Sequence, residues 1–175
     1  LTSIQLMTPT LAYKSQIQAY KDEFPYSPNG IEGSSQLTEA TSIEEWLNQI
    51  EKNRHWETVQ EGWMPAEQYI AVDTKDRTIV GMLNFRKELN DYLLNYIGHI
   101  GYSVALSKRR QGLGTVMLQL ALIEAKKFGL DKVLITCTDD NIASIGVIEN
   151  NGAVLEDKRV DPGDQKLTRR YWITL

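Results

Sequence analysis

The 175-residue sequence has one cysteine and two histidines, and this scarcity excludes several kinds of site. Cys137 has no second cysteine to pair with, so no internal disulfide forms, as is typical of proteins from a reducing compartment. Residues of these types are too few and too far apart in the sequence to predict a zinc site.

Long apolar segments and an excess of basic charge are also missing. No apolar run approaches the roughly 18 residues of a membrane-spanning helix, and the N-terminus lacks the basic and then apolar segments of a signal peptide. The 19 basic and 23 acidic residues give a net charge of −4, which predicts no basic face for nucleic acid. We therefore expect a cytoplasmic protein that binds neither membrane nor nucleic acid.

The length fits one domain over residues 1–175, and the apolar pattern within it changes near Gln68. Before that point the pattern favours helices, over residues 11–20 and after a helix start at 41–45. Afterwards it favours, in order, a hairpin (69–72 and 78–85), a long strand (96–106), an amphipathic helix (112–128), a strand (132–138), a short helix (141–150) and two strands (154–160 and 168–175). This order predicts an α/β protein of the α+β type with a mixed sheet.

The segment between the long strand and the amphipathic helix, Arg109 to Thr115, reads RRQGLGT. Its two glycines allow the backbone to approach a ligand closely. The first N–H groups of the helix and its dipole form an anion site, to which Arg109 or Arg110 would add charge-assisted hydrogen bonds. The P-loop pattern is absent, and Met117 stands where a dinucleotide-binding motif needs its third glycine. We therefore expect this segment to bind the pyrophosphate of a ligand other than those that these two motifs bind.

The pattern R-x-x-G-x-G after a strand resembles the acetyl-CoA signature of the GNAT superfamily of N-acetyltransferases. The likeness extends over roughly residues 68–175, with the strand at 102–106 before the signature and the strand KVLITCT and an Asn141-led helix after it. The resemblance implies a GNAT-like acyl-CoA N-acyltransferase fold, with a central, mostly antiparallel sheet flanked by helices. It also implies direct transfer of an acetyl group from acetyl-CoA, the cosubstrate, to a primary amine, with residues 1–67 shaping the acceptor site.

The resemblance implies a cofactor site built from three segments. The strand end supplies backbone groups to the pantetheine arm and an N–H donor to the thioester oxygen, the glycine turn holds the pyrophosphate, and the Asn-led helix contacts the pantetheine. The expected cofactor-binding residues are Val104, Ala105, Leu106, Arg109, Arg110, Gln111, Gly112, Leu113, Gly114, Thr115, Asn141 and Ser144.

The expected catalytic residues depart from the pattern of the superfamily. Ile148 occupies the position where many members carry a tyrosine that acts as the general acid. Ser144, one helical turn earlier, is the candidate to take the place of this tyrosine and assist the leaving thiolate. The thiolate could also leave unassisted, because a thiol pKa is only about 8.5. His99 is the candidate base, with a purely structural histidine as the alternative and Glu88 or Asp91 as the next candidates.

Two other functions compete with acetyl transfer. A non-catalytic acyl-CoA-binding sensor or interaction module on the same fold is favoured slightly by the missing tyrosine. A serine hydrolase is disfavoured, because Ser103 lies within a strand pattern and no histidine follows His99. Cys137 is expected to be a core residue. The sequence does not identify the acceptor, and it leaves a homodimer open.

Overall fold

Residues 3–175 are described by the structure, a computed structural model, and they form two antiparallel sheets with helices packed against them. The elements in chain order are β1 (Ile4–Met7), α1 (Lys14–Glu23), α2 (Ile43–Lys52), β2 (Ala66–Asp73), β3 (Thr78–Arg86), β4 (Ile100–Val104), α3 (Leu113–Lys127), β5 (Lys132–Thr138), α4 (Ile142–Asn150), β6 (Val154–Val160) and β7 (Leu167–Thr174). The predicted fold class is confirmed. Within the described range, no helix is long and apolar enough to cross a bilayer.

Backbone pairing joins the two sheets at one place. The first has the order β1-β2-β3-β4 and the second the order β5-β7-β6, with every neighbouring pair antiparallel. An isolated bridge joins Gly98 to Ile135, and the His99 N–H donates to the Leu134 carbonyl at 2.8 Å. Among the described residues, β4 and β5 share no further strand pairing, so the outer edge of β4 is left open beyond this bridge.

Both faces of the first sheet are buried, and this explains why its strands read as continuous apolar runs. Tyr69 and Ala71 of β2 face a core shared with α3, α4 and the second sheet. Ile70 and Val72 face the opposite way, into a core shared with α1 and α2. The helix start predicted over 41–45 is confirmed, and Ser42 caps α2 because its hydroxyl accepts the Glu45 N–H at 3.0 Å.

Three features of the chain differ from the prediction. The strands form two antiparallel sheets in place of one mixed sheet. The strand β1, which pairs with β2, was not predicted, so residues 1–67 are not purely helical. The strand predicted over 96–106 is shorter, because residues Leu93–Ile97 form a π-helical turn and only Ile100–Val104 form β4. The Asn90 side chain opens this turn by accepting the Leu93 N–H at 2.9 Å. A side-chain cap of this kind can favour a helical turn over an extended strand.

Candidate functional site

The outer edge of β4 carries backbone groups that the sheet does not use. In an antiparallel pair, residues whose backbone N–H and C=O groups point toward the partner strand alternate with residues whose groups point away. The Ala105 N–H donates to the Val80 carbonyl at 2.8 Å, so Ala105 is of the first kind. With the register that pairs Tyr102 with Leu83 and Val104 with Gly81, the backbone groups of Tyr102 and Val104 point away from β3. These two N–H groups are therefore available to a ligand lying along β4.

This edge leads to the glycine turn that begins α3. Gly112 has φ 76° and ψ 9°, and a Cβ placed on it would meet no other atom within 4 Å. The left-handed conformation favours glycine, and the open space around it leaves room for a ligand. The first N–H groups of α3, from Leu113 to Thr115, have no partner within the helix, as at any helix start. The turn thus has the electrostatics of an anion site.

The predicted cofactor residues differ in how accessible they are. The loop from Arg109 to Gly112 is exposed, and Arg110 has φ 64°. The Arg109 side chain folds back toward the strand, where its Nε donates to the Val104 carbonyl at 3.4 Å. Ala105 is buried and its N–H is already bonded to β3, so this N–H group is not available to a ligand. Its neighbour Leu106 is exposed and begins a 3₁₀ turn.

Asn141 and Ser144 lie at the start of α4. The Asn141 side-chain oxygen accepts the Ser144 N–H at 3.1 Å, so Asn141 is the N-cap of this helix. Because Asn141 is exposed, its amide group also remains accessible to a ligand. Ser144 projects from the first turn toward β4.

The Ser144 hydroxyl meets the Tyr102 hydroxyl at 2.7 Å, across the opening between β4 and the second sheet. Burial raises the pKa of Tyr102 to about 12, although its hydrogen bond with Ser144 lowers it, so the phenol remains neutral and able to donate. Cys137 lies beside the pair. Burial raises its pKa to about 11, partly offset by Arg169 and Ser144, and it packs in the core as expected.

Tyr102 is a residue that sequence reasoning missed. It lies on the strand before the signature and on the same face as Val104. This position was the only feature of the sequence that could have indicated a role for Tyr102. Ile148 is fully buried in the core, so the position of the usual tyrosine contributes packing and no hydroxyl.

His99 lies just before β4 and joins the two sheets. Its Nδ1 accepts the Leu134 N–H at 2.9 Å, which places the ring proton on Nε2. Burial, and next the nearby Arg86 charge, lower the His99 pKa to about 4. This arrangement stabilises the junction of the sheets and makes His99 a weak proton acceptor. Glu88 and Asp91, the next candidates, are exposed on the segment that follows β3.

Comparisons with known proteins agree with this geometry. Residues 37–153 match the model of the acetyltransferase (GNAT) family. A ribosomal L7/L12 alpha-N-protein acetyltransferase in complex with coenzyme A matches with 20% identity and a TM-score of 0.67, covering 100% of this chain and 96% of that one. No curated protein sequence matches significantly.

Two further solved structures have the same fold. An acetyl transfer enzyme from Salmonella typhimurium that modifies the N-terminal serine of ribosomal protein L7/L12 has 22% identity, a TM-score of 0.68, and coverage of 100% and 96%. A chimera of spermidine N-acetyltransferase from Vibrio cholerae and hSSAT has 16% identity, a TM-score of 0.68, and coverage of 99% and 96%. The family match spans well over half of the sequence, and the chain therefore belongs to the GNAT family of acetyl-CoA-dependent N-acetyltransferases.

Proposed function

We propose that the protein transfers an acetyl group from acetyl-CoA directly to a primary amine held in the same ternary complex. The observation that carries the proposal is the open edge of β4, which leads to the glycine turn and the start of α3. A thioester with an extended arm and a pyrophosphate fits such an edge, because the arm needs backbone partners and the pyrophosphate needs helix N–H groups.

The cofactor would be held by backbone groups more than by charged side chains. The N–H groups from Leu113 to Thr115 would bind the pyrophosphate, and the accessible Asn141 amide would contact the pantetheine arm. The N–H groups of Tyr102 and Val104 would pair with that arm or donate to the thioester oxygen, whose negative charge grows as the amine attacks.

The leaving sulfur would meet the Ser144 hydroxyl. If Tyr102 donates to the Ser144 oxygen across their 2.7 Å contact, the Ser144 proton is free to point toward the sulfur. Because a thiol has a pKa of about 8.5, a hydrogen bond suffices to stabilise the thiolate as it departs. This pair supplies hydroxyl groups in place of the missing tyrosine, and it favours catalysis over the sensor alternative.

The acceptor belongs to a broad class. Similar structures include an enzyme that acts on a protein N-terminus and a chimera of a spermidine acetyltransferase. Both acceptors present a primary amine, although one amine belongs to a protein and the other to spermidine.

The test is a panel of amines incubated with acetyl-CoA, with release of free thiol as the readout. The panel should contain peptides with free N-termini, a lysine peptide with a blocked N-terminus, and polyamines. We expect turnover with at least one class, and mass spectrometry should find the acetyl group on nitrogen. Tight acetyl-CoA binding without turnover of any amine would instead support the sensor alternative.

A further inference from the structure

The loop between α1 and α2 is fixed in place by buried polar groups around residues 31–37. The buried Ser34 carbonyl accepts the Trp46 indole N–H at 2.8 Å. The Gln68 side chain donates to the Gly33 carbonyl, also at 2.8 Å. Partners on both α2 and β2 therefore hold the backbone directly after Glu32, which helps to position its side chain precisely.

This loop is pressed against β4 at the reacting end of the proposed site. A Cβ on Gly33 would lie 2.6 Å from both the Gly101 carbonyl oxygen and the Tyr102 Cα, so only glycine permits this approach. The Glu32 carboxylate oxygen lies 4.0 Å from the point where a Cβ on Gly101 would be. The carboxylate therefore sits over β4 one residue before Tyr102.

Glu32 is without a hydrogen bond or ion pair among residues 3–175. Solvent reaches its side chain, yet surrounding protein desolvates the carboxylate enough to raise its pKa, which is the situation of a group in a concave surface. The charged and titratable groups that face it are Arg86 of β3, Asp164 of the β6–β7 turn, and Tyr102 of β4. Of these, the Arg86 charge lowers the pKa of Glu32 and the Asp164 charge raises it.

We propose that Glu32 receives the cationic amine of the acceptor and takes its proton as the nitrogen attacks the thioester. The inference rests on the proposed acetyl transfer and adds the residue that recognises the acceptor. A carboxylate at this place selects alkylammonium groups over neutral or anionic acceptors. Its free oxygen atoms are available because no residue of the described chain uses them.

The protons and bonds balance as follows. An alkylammonium has two protons to lose when its nitrogen becomes an amide N–H. Glu32 takes one of them, the C–N bond forms, and the C–S bond breaks. The sulfur keeps the electron pair of that bond and gains the second proton, by way of the Ser144 hydroxyl or from water.

The experiment compares Glu32→Gln with wild type, using an amine accepted in the thiol-release panel. The variant keeps the size of the side chain and removes the charge, so kcat/KM for the amine should fall by about 100-fold, within the range of general bases. Acetyl-CoA affinity, measured by calorimetry, should be unchanged. The conservative variant Glu32→Asp should recover part of the rate.

The pH dependence separates a base from a structural residue. In wild type the logarithm of kcat/KM for the amine should stay level below the pKa of the amine, because Glu32 takes the proton of the bound ammonium, and should drop with a slope of about one only once Glu32 is protonated. Glu32→Gln has no such base and reacts only with the free amine, so its logarithm of kcat/KM should drop with a slope of about one throughout this range. The matched control is Glu39→Gln, which removes an exposed carboxylate from the same inter-helix segment and should behave as wild type.

The possible failures are distinguishable. Wild-type turnover with an unaltered rate and pH profile in Glu32→Gln would overturn the role of Glu32 and leave acetyl transfer intact. A wild-type protein that acetylates no amine would overturn acetyl transfer and the role of Glu32 with it. Because Glu32 bonds to no other described group, its substitution should leave the melting temperature unchanged, and Glu32→Asp provides a second test if it does not.

Discussion

The junction between the two sheets should make the protein unstable in mildly acidic solution because of His99. Its pKa is about 4 in the folded protein, against an ordinary value of 6.5. Between these values the unfolded chain binds a proton that the folded chain does not, so stability is complete above pH 6.5 and falls as the pH approaches 4. Protonation would also place two donors face to face, because Nδ1 accepts the Leu134 N–H.

The size of the effect follows from the same difference. A pKa lowered by about 2.5 corresponds to about 3 kcal/mol of unfolding free energy. This is a substantial part of the roughly 5–15 kcal/mol by which domains are stable. The substitution His99→Asn keeps an acceptor near the position of Nδ1 and removes the titration.

Urea denaturation between pH 7.5 and 4 measures the effect for wild type, His99→Asn and the control His55→Asn. The free energies of wild type and His55→Asn should fall by about 3 kcal/mol more than that of His99→Asn over this range. Titrating carboxylates contribute equally to wild type and His99→Asn and cancel in that comparison. Parallel curves for wild type and His99→Asn would refute the reasoning, as would an NMR titration of His99 with a pKa near 6.5.

Three further substitutions test the site. Gly112→Asp should weaken acetyl-CoA binding by more than about tenfold in calorimetry, whereas Gly62→Asp, at an exposed glycine with a similar positive φ and open surroundings, should not. Ser144→Ala and Tyr102→Phe should each lower kcat by about 10-fold to 100-fold at unchanged acetyl-CoA affinity. The double variant should be no slower than either single variant, because the two hydroxyls are expected to act as one unit. Additive losses in the double variant would contradict the pairing. Ile148→Tyr should reduce the unfolding free energy by about 1–3 kcal/mol in urea without raising kcat, because Ile148 has no exposed surface.

The elements that the sequence predicted best are those whose bounds depend on residues close by in the chain. The strands over residues 132–138 and 154–160 were predicted with the bounds that the structure has, and α2 and α4 begin one residue after their capping side chains. Caps, glycines and apolar periodicity act within a few residues, so they can be read from the sequence. The glycine turn is of this kind, since its geometry depends on neighbouring residues.

The features that were missed depend on distant residues. β1 is a strand because β2 offers it an edge to pair with, and its four residues carry little pattern of their own. Tyr96 and Ile97 have strand-forming side chains, yet their carbonyls accept the Thr136 hydroxyl from within a helical turn, at 3.0 Å and 2.8 Å. Tertiary partners override local preference at both places.

Under the proposed mechanism, the relation between Ile148 and Ser144 would be a case of one chemical group supplied from different places. The two residues lie four apart on α4 and therefore on the same face, about one turn of 5.4 Å from each other. Helical side chains lean toward the N-terminus, so a tyrosine at position 148 would extend its hydroxyl toward the first turn. In this chain Ser144 occupies that turn directly, and the Tyr102 hydroxyl reaches it from β4. The proposed role of this hydroxyl pair leaves position 148 to core packing, and Ile148 is buried there.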